Sequence, residues 1–481
     1  MKSRFAAMLA TIALLSACGG GDGDGSGVLA SGGTTSGTAS GGGTTTAGCS
    51  LRERQDWAAA QLREWYLFPE LLPATLGTAA YTTVDDYIDA LTATARSQRK
   101  DRYFTYLTSI REEDAYYNAG SSGGFGVRLS YDTVARRVFV AEAFEGAPAL
   151  AAGIDRGAEI LSIGTSAANL VSVGSIMAAN GTNGIFTALG PDTAGTTRVL
   201  RVTGGGGGER NVTVAKADFS LTPISSRYGA QILNDGGRQV GYVNLRTFIG
   251  TADPALRDAF ARFRAAGITQ MVVDLRYNGG GAIVIAELFS DLLSGQRSTG
   301  DVQSRTVYRP EKSSNDRIRY YMSQPQSIAA TRIAFIGTGG TASASELVIN
   351  AAIPYLGANA ALIGTNTYGK PVGQIARDLA ACDDRLRVVA LATQNAARQG
   401  DYYDGLAGKV QASCQAADDL SYPMGDPREA STKAALDFLA GRSCGAAIGD
   451  AGLRSATAGG RRELLTPARP DTAQREVPGL L

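Results

Sequence analysis

Histidine is absent from the 481 residues of this chain. Without an imidazole there is no Ser-His-Asp or Cys-His triad and no histidine-ligated metal or haem, so any acid–base chemistry needs another base. Net charge is almost as scarce: 46 basic against 45 acidic side chains leave +1. That balance offers no global field for gathering nucleic acid or steering an acidic ligand. The apolar run Phe5–Leu15, behind Lys2 and Arg4, is about half the ~20 residues a membrane-spanning helix needs, and reads as the core of an export signal. Cysteines number five and none forms a C-x-x-C pair, which argues against a zinc or redox motif. No metal or organic cofactor is implied.

Glycine is plentiful instead, with 61 residues. From Gly19 to Gly48 the chain is mostly Gly, Ser and Thr; such a segment buries too little apolar surface to order itself. It reads as a flexible tether with an r.m.s. reach of roughly 30 Å. Just before it, Leu15-Ser16-Ala17-Cys18 resembles the lipobox of bacterial lipoproteins. The resemblance implies that residues 1–17 are a signal peptide, that Cys18 is acylated, and that 18–48 link it to the folded part. Gly19 after the cysteine implies, by the same resemblance, the outer membrane with the protein facing the periplasm. An ordinary secretory signal with an incidental cysteine is the alternative. Four cysteines remain: Cys49, Cys382, Cys414 and Cys444. In an exported chain they suggest two disulfides, with three pairings open; Cys382–Cys414 with Cys49–Cys444 is the expected one, and free buried thiols the alternative. Residues 446–481 are poor in apolar periodicity and read as a disordered tail.

Between these ends the chain changes character twice. Residues 49–118 carry apolar positions at three- and four-residue steps, as in RERQDWAAAQLREWYLF, and read as an N-terminal helical domain. Ser97-Gln98-Arg99-Lys100 fits S-x-x-K, but its K-T-G partner is missing, so it reads as a helix surface. Residues 119–216 turn to short β-like runs such as RVFVAEAF and TRVLRVT. Gly124-Phe125-Gly126-Val127 near the start, with APALAAGIDRGAEILSIGT in the middle, resemble a PDZ domain. That resemblance implies a glycine-rich turn offering backbone N–H groups to a peptide end and a strand that takes the peptide by β-augmentation. The glycine run 204–208 departs from the pattern. Gly120-Ser121-Ser122-Gly123-Gly124 fits G-x-S-x-G, yet without histidine it is no esterase elbow. In residues 217–445, strands such as ITQMVVDL, TRIAFIG and AALIG alternate with helical stretches, which argues a layered α/β core.

Three loops in that core follow strands. Asp274-Leu275-Arg276-Tyr277-Asn278-Gly279-Gly280-Gly281 lacks a dinucleotide fingerprint but suits backbone N–H groups turned toward an anion. Gly339-Gly340-Thr341-Ala342-Ser343-Ala344-Ser345-Glu346 places serines at a strand-to-helix turn, where a plain N-cap is the other reading. Gly364 to Lys370 approaches a P-loop, but Pro371 stands where a magnesium-binding hydroxyl belongs. Read together, the loops bring a serine to a neutral lysine amine, the natural base where imidazole is missing. Such a lysine needs burial to depress its pKa. Gln374, four residues beyond Lys370, holds the amine without adding charge.

At this point the chain resembles the C-terminal processing (tail-specific) peptidases, which are Ser/Lys proteases. The resemblance runs from about Ser50 to Gly441. It implies a crotonase-like ββα protease core, with the PDZ-like insert and the N-terminal helical domain. The serine followed by A-S-E maps to Ser343 as nucleophile, the lysine of G-K-x-x-x-Q to Lys370 as base, and the glutamine to Gln374 as its partner. Oxyanion donors map to the Gly280 and Ala344 N–H groups. The Ser343-to-Lys370 spacing is slightly longer than is usual in that family, and Ser345 is the alternative nucleophile. The implied function is a lipid-anchored, exported serine endopeptidase acting on protein or peptide substrates, with the PDZ-like segment recognising a substrate tail or gating access to the site. The membrane contact runs through the lipid alone, and no nucleic acid is a partner. A non-catalytic peptide-binding lipoprotein on the same scaffold is the rival.

Overall fold

The computed structural model describes residues 47–204, 207–449 and 462–481. The export signal, Cys18, most of the tether, part of the glycine run and residues 450–461 lie outside the described residues. At the centre is a six-stranded sheet in the order Ala230–Asp235, Arg238–Asn244, Gln270–Asp274, Arg332–Gly337, Ala360–Gly364, Ala412–Gln415. Its first pair is antiparallel and the rest are parallel. Helices Ala252–Ala265, Ile283–Leu293 and Ala344–Leu356 cover one face, and Ala430–Leu439 packs on the other. Strands buried on both faces read as continuous apolar runs, hence MVVD, RIAFIG and AALIG. The loops that leave the carboxyl ends of three adjacent parallel strands are the three singled out above, where open α/β sheets bind ligands.

The helices Leu51–Trp65 and Val84–Leu91 form because their ends are capped. Ser50 and Glu53 exchange bonds across the first turn, and Thr83 Oγ1 takes the Asp86 N–H at 3.0 Å. Their apolar faces (Ala58, Leu62, Tyr66, Tyr87, Ile88, Leu91) pack on Leu386, Val388 and Val389 of strand Asp384–Gln394. The following strand, Tyr106–Ser109, pairs with that same strand. Residues 49–118 thus share one core with a five-stranded antiparallel sheet of the main body rather than standing as a helical domain of their own.

Residues 121–220 leave and rejoin the core through one antiparallel ribbon, Ser121–Gly124 against Ala217–Ser220. Between these lie six strands of a seven-stranded sheet, with helix Val173–Leu189 against it; the seventh strand comes from the C-terminal segment. Buried charges tie this unit to the core: Glu142 meets Arg128 at 3.2 Å and Arg246 at 2.6 Å. Arg128 also reaches the Tyr277 carbonyl at 2.9 Å.

Two expectations fail here. The disulfides are Cys49–Cys382 and Cys414–Cys444, with Cα separations of 5.5 and 5.7 Å, not Cys382–Cys414 and Cys49–Cys444. Cys49 precedes the first helix, which packs beside the turn that holds Cys382; Arg54 fixes that approach by pairing with Asp384 at 2.5 Å. Cys414 lies on the sheet's edge strand, and Cys444 follows the helix packed on that sheet. Nor is the tail disordered where it is described. Glu463–Leu464 pairs with Ser130 and Tyr131, and Leu465, Ala473, Val477, Leu480 and Leu481 are buried. Leu465 and Leu481 enter one cluster and Ala473, Val477 and Leu480 another, too few on either face to make a sustained period.

Glu429 sits at the N-terminus of helix Ala430–Leu439, accepting from Ser431 and Thr432 N–H and pairing both oxygens with buried Arg276 at 2.9 Å. Arg276 begins the glycine-run loop. Glu429→Ala leaves that guanidinium under-compensated, and the expected loss is about 3–5 kcal/mol of stability, read as a lower urea midpoint at unchanged slope.

Candidate active site

Ser343 stands at the turn between strand Arg332–Gly337 and helix Ala344–Leu356, with φ 54° and ψ −115°. A side-chain-bearing residue rarely holds such a backbone, and strained turns of this kind gather at working sites. The turn is stitched to the glycine-run loop: Thr341 Oγ1 donates to Leu275 O at 2.7 Å and Ala342 N–H to Asn278 O at 3.0 Å. Ser345 is fully buried and its Oγ is committed to Asn278 O at 2.9 Å. Ser343 is half-buried, so of the two serines it alone is open to a substrate. Gly280 presses against it: a Cβ there would lie 2.8 Å from Ser343 Cβ and 3.2 Å from both Ser343 Oγ and Ala344 N. With φ +127° as well, only glycine fits.

The lysine loop is held by a residue that sequence reasoning missed as a participant. Glu346, buried in the first turn of the helix, accepts from Ser343 N–H at 3.1 Å and Lys370 N–H at 2.7 Å through one oxygen. Through the other it accepts from Gly369 N–H at 2.7 Å and Thr367 Oγ1 at 2.6 Å. One carboxylate therefore joins the serine turn to the lysine turn. Burial pushes its pKa up, against the four donors that favour the charged form. The serine-x-x-glutamate spacing of a capping box was the available signal.

Lys370 is half-buried, and its Nζ donates to Gln374 Oε1 at 3.0 Å and lies 5.2 Å from the Phe104 ring centre. Gln374 is fixed from behind by donating to Phe104 O. Burial pushes the Lys370 amine below the ordinary lysine range; the Glu476 carboxylate pulls it back up, and Arg475 adds to the lowering. The expected glutamine contact is present. Among the described residues, no hydrogen bond joins Lys370 Nζ to Ser343 Oγ.

The oxyanion expectation divides. Ala344 N–H opens the helix and has no partner among the described residues. Gly280 N–H, by contrast, is not presented: it donates to Asn278 Oδ1 at 2.9 Å. An Asn two residues back closes this Asx-type turn on the loop's own backbone. Its neighbour Gly279 N–H is taken by Glu476 O at 2.9 Å. A cavity of about 700 Å³ opens beside Lys370, with Phe104, Tyr368, Ala342, Arg475 and Glu476 among its lining residues.

The turn Gly124-Phe125-Gly126-Val127 lies in the β-rich unit. Gly126 N–H and Val127 N–H both donate to Leu481 O, at 2.8 and 3.1 Å. Phe125 is buried in the apolar cluster that also receives Leu481. Among the described residues no His, Cys, Asp and Glu cluster could hold a metal ion, and no helix is long and apolar enough to cross a membrane.

Residues 239–402 match the sequence model for Peptidase family S41. A chloroplastic C-terminal processing peptidase of Tetradesmus obliquus is 28% identical over 275 residues, 54% of each chain. The chloroplastic carboxyl-terminal-processing peptidase 3 of Arabidopsis thaliana is 26% identical over 278 residues, 56% of this chain and 49% of that one. This chain therefore spans about half the length of the curated relatives it matches. Among solved structures, a Bacteroides fragilis protein described as an S41 protease superposes with a TM-score of 0.63. It is 21% identical and covers 80% of this chain and 97% of its own, a likeness of fold.

Proposed function

We propose that this chain, whose residues 239–402 match the model for Peptidase family S41, is a serine endopeptidase working through Ser343 and Lys370. Neutral Lys370 takes the Ser343 hydroxyl proton as Oγ attacks the scissile carbonyl carbon. The resulting oxyanion takes the Ala344 N–H, and the Gly280 N–H once it leaves Asn278. Protonated Lys370 then gives its proton to the departing amine, leaving an acyl-Ser343 ester. Water, deprotonated by the same lysine, hydrolyses that ester and restores both groups. Gln374 holds the amine without a charge that would raise its pKa.

The observation that carries this reading is the Glu346 carboxylate, which ties the backbone of the serine turn to that of the lysine turn. A half-buried lysine bound to a neutral amide rather than to a carboxylate supports it. Nζ has to swing from Gln374 toward Oγ as the substrate complex tightens, a common step from resting geometry. The PDZ-like segment 119–216, by this reading, takes a peptide by adding it to strand Val127–Asp132. Export, acylation at Cys18 and a crotonase-like core belong to the same proposal.

Purified protein should hydrolyse an unstructured substrate such as casein. Ser345→Ala should keep most of that activity, because its hydroxyl is committed to Asn278 O. Intact casein after prolonged incubation would leave the scaffold as a peptide-binding protein instead. Loss of activity in Ser345→Ala alone would move the nucleophile.

A further inference from the structure

The C-terminal segment lies where a bound peptide would. Gly479 O accepts from Leu129 N–H at 2.8 Å, and Leu481 N–H donates to Val127 O at 2.9 Å. Leu481 O receives both Gly126 and Val127 N–H, and Leu480 bridges Arg128 in antiparallel register. That is strand addition along Val127–Asp132, with the glycine turn at its end. The turn is shaped around this occupant: a Cβ on Gly124, at φ +147°, would fall 2.6 Å from Leu481 C. Val477 and Leu480 fill one apolar cluster, and Leu481 another.

The same segment lines the cavity beside Lys370 through Gln474, Arg475, Glu476 and Pro478. Glu476 O holds Gly279 N–H, and a Cβ on Gly279 would meet Arg475 O at 2.1 Å. Buried Arg128 couples the two places, donating to Tyr277 O on the glycine-run loop and to Pro478 O on the tail, at 2.9 and 2.7 Å. Docking is imperfect, however. Glu476 Oε2 and Arg475 Nε are buried without partners among the described residues, and each such atom costs free energy that leaving would recover.

We propose that residues 462–481 are an intramolecular ligand of the PDZ-like groove that also occludes the Ser343–Lys370 site, so that an incoming peptide must displace this chain's own segment. The inference rests on the peptidase reading for its kinetic consequence, and on the backbone pairing alone for its binding consequence. A tethered ligand competes at an effective concentration of about 1 mM, and a site that is open one-tenth of the time binds with roughly tenfold weaker apparent affinity.

The test inserts a site for a sequence-specific protease between residues 450 and 461, so that the chain folds before it is cut. After cutting and removal of the released fragment, KM for a fluorogenic unstructured peptide should fall about tenfold. Adding synthetic 470–481 peptide should raise it again competitively. In a Ser343→Ala background, labelled 470–481 peptide should bind the cut chain and not the intact one. Leu481→Asp in the uncut chain should lower KM in the same direction. Equal KM before and after cutting, or no binding of the peptide to the cut chain, overturns the proposal. So does a cut chain that unfolds when the fragment leaves, since the segment is then part of the fold. If neither form hydrolyses peptide, the peptidase reading falls while the binding measurement still decides this one.

Discussion

Ser343→Ala and Lys370→Ala are each expected to lower kcat by about 10⁴–10⁶ while the protein keeps its thermal transition. Groups that act as one unit lose nearly the whole catalytic advantage when either is removed. Lys370→Arg should be equally inactive, because a guanidinium cannot give up its proton at working pH. The pH profile carries the sharper test. The base works when neutral, and burial holds the Lys370 amine below the ordinary lysine range. Activity should therefore climb with pH through that depressed value and already be high below the pKa of a free lysine. Gln374→Glu sets a carboxylate where the amide oxygen lies 3.0 Å from Nζ. It stabilises the ammonium, so the rising limb of kcat/KM should move to higher pH with its plateau largely kept. A limb that stays put would remove Lys370 from the role of base.

How far this site is legible in the sequence differs from residue to residue, for physical reasons. The three loops are legible because doubly buried strands advertise themselves as apolar runs, and the residues just beyond such strands form the rim of the sheet. Ser343 and Ser345 are not separable by pattern; exposure and the bond to Asn278 O separate them. The state of the Gly280 N–H escapes the sequence because an Asn two residues before it captures that donor, a local choice between side chain and ligand. The disulfides and the merging of residues 49–118 into the main body are set by tertiary contacts, which in the case of Cys49 and Cys382 join positions 333 residues apart. The C-terminal segment reads as disordered because periodicity is the signature of an element with one apolar face. A strand-like ligand with a single turn of helix, Thr472–Glu476, has none.

Glu346→Ala should cost kcat about 10²–10³ although its carboxylate touches no reacting atom. Its four acceptor contacts join the Ser343 N–H to the Thr367 hydroxyl and the Gly369 and Lys370 N–H groups, beside one backbone bond between the two loops, Tyr368 N–H to Thr341 O at 2.9 Å. An ångström of drift between reacting groups is worth about 10²-fold. Glu346→Gln should be nearly as damaging. An amide turns its NH₂ toward donors that need an acceptor, so at least one buried N–H goes unpaired at a cost of about 1–3 kcal/mol. A positioning residue and a general base part company in their kinetics. If Glu346 only positions, KM and the midpoint of the rising pH limb stay where the unsubstituted protein has them while kcat falls. If the limb itself moves in Glu346→Gln, the carboxylate is setting the charge on Lys370, and the base has to be described as a coupled Glu346–Lys370 pair.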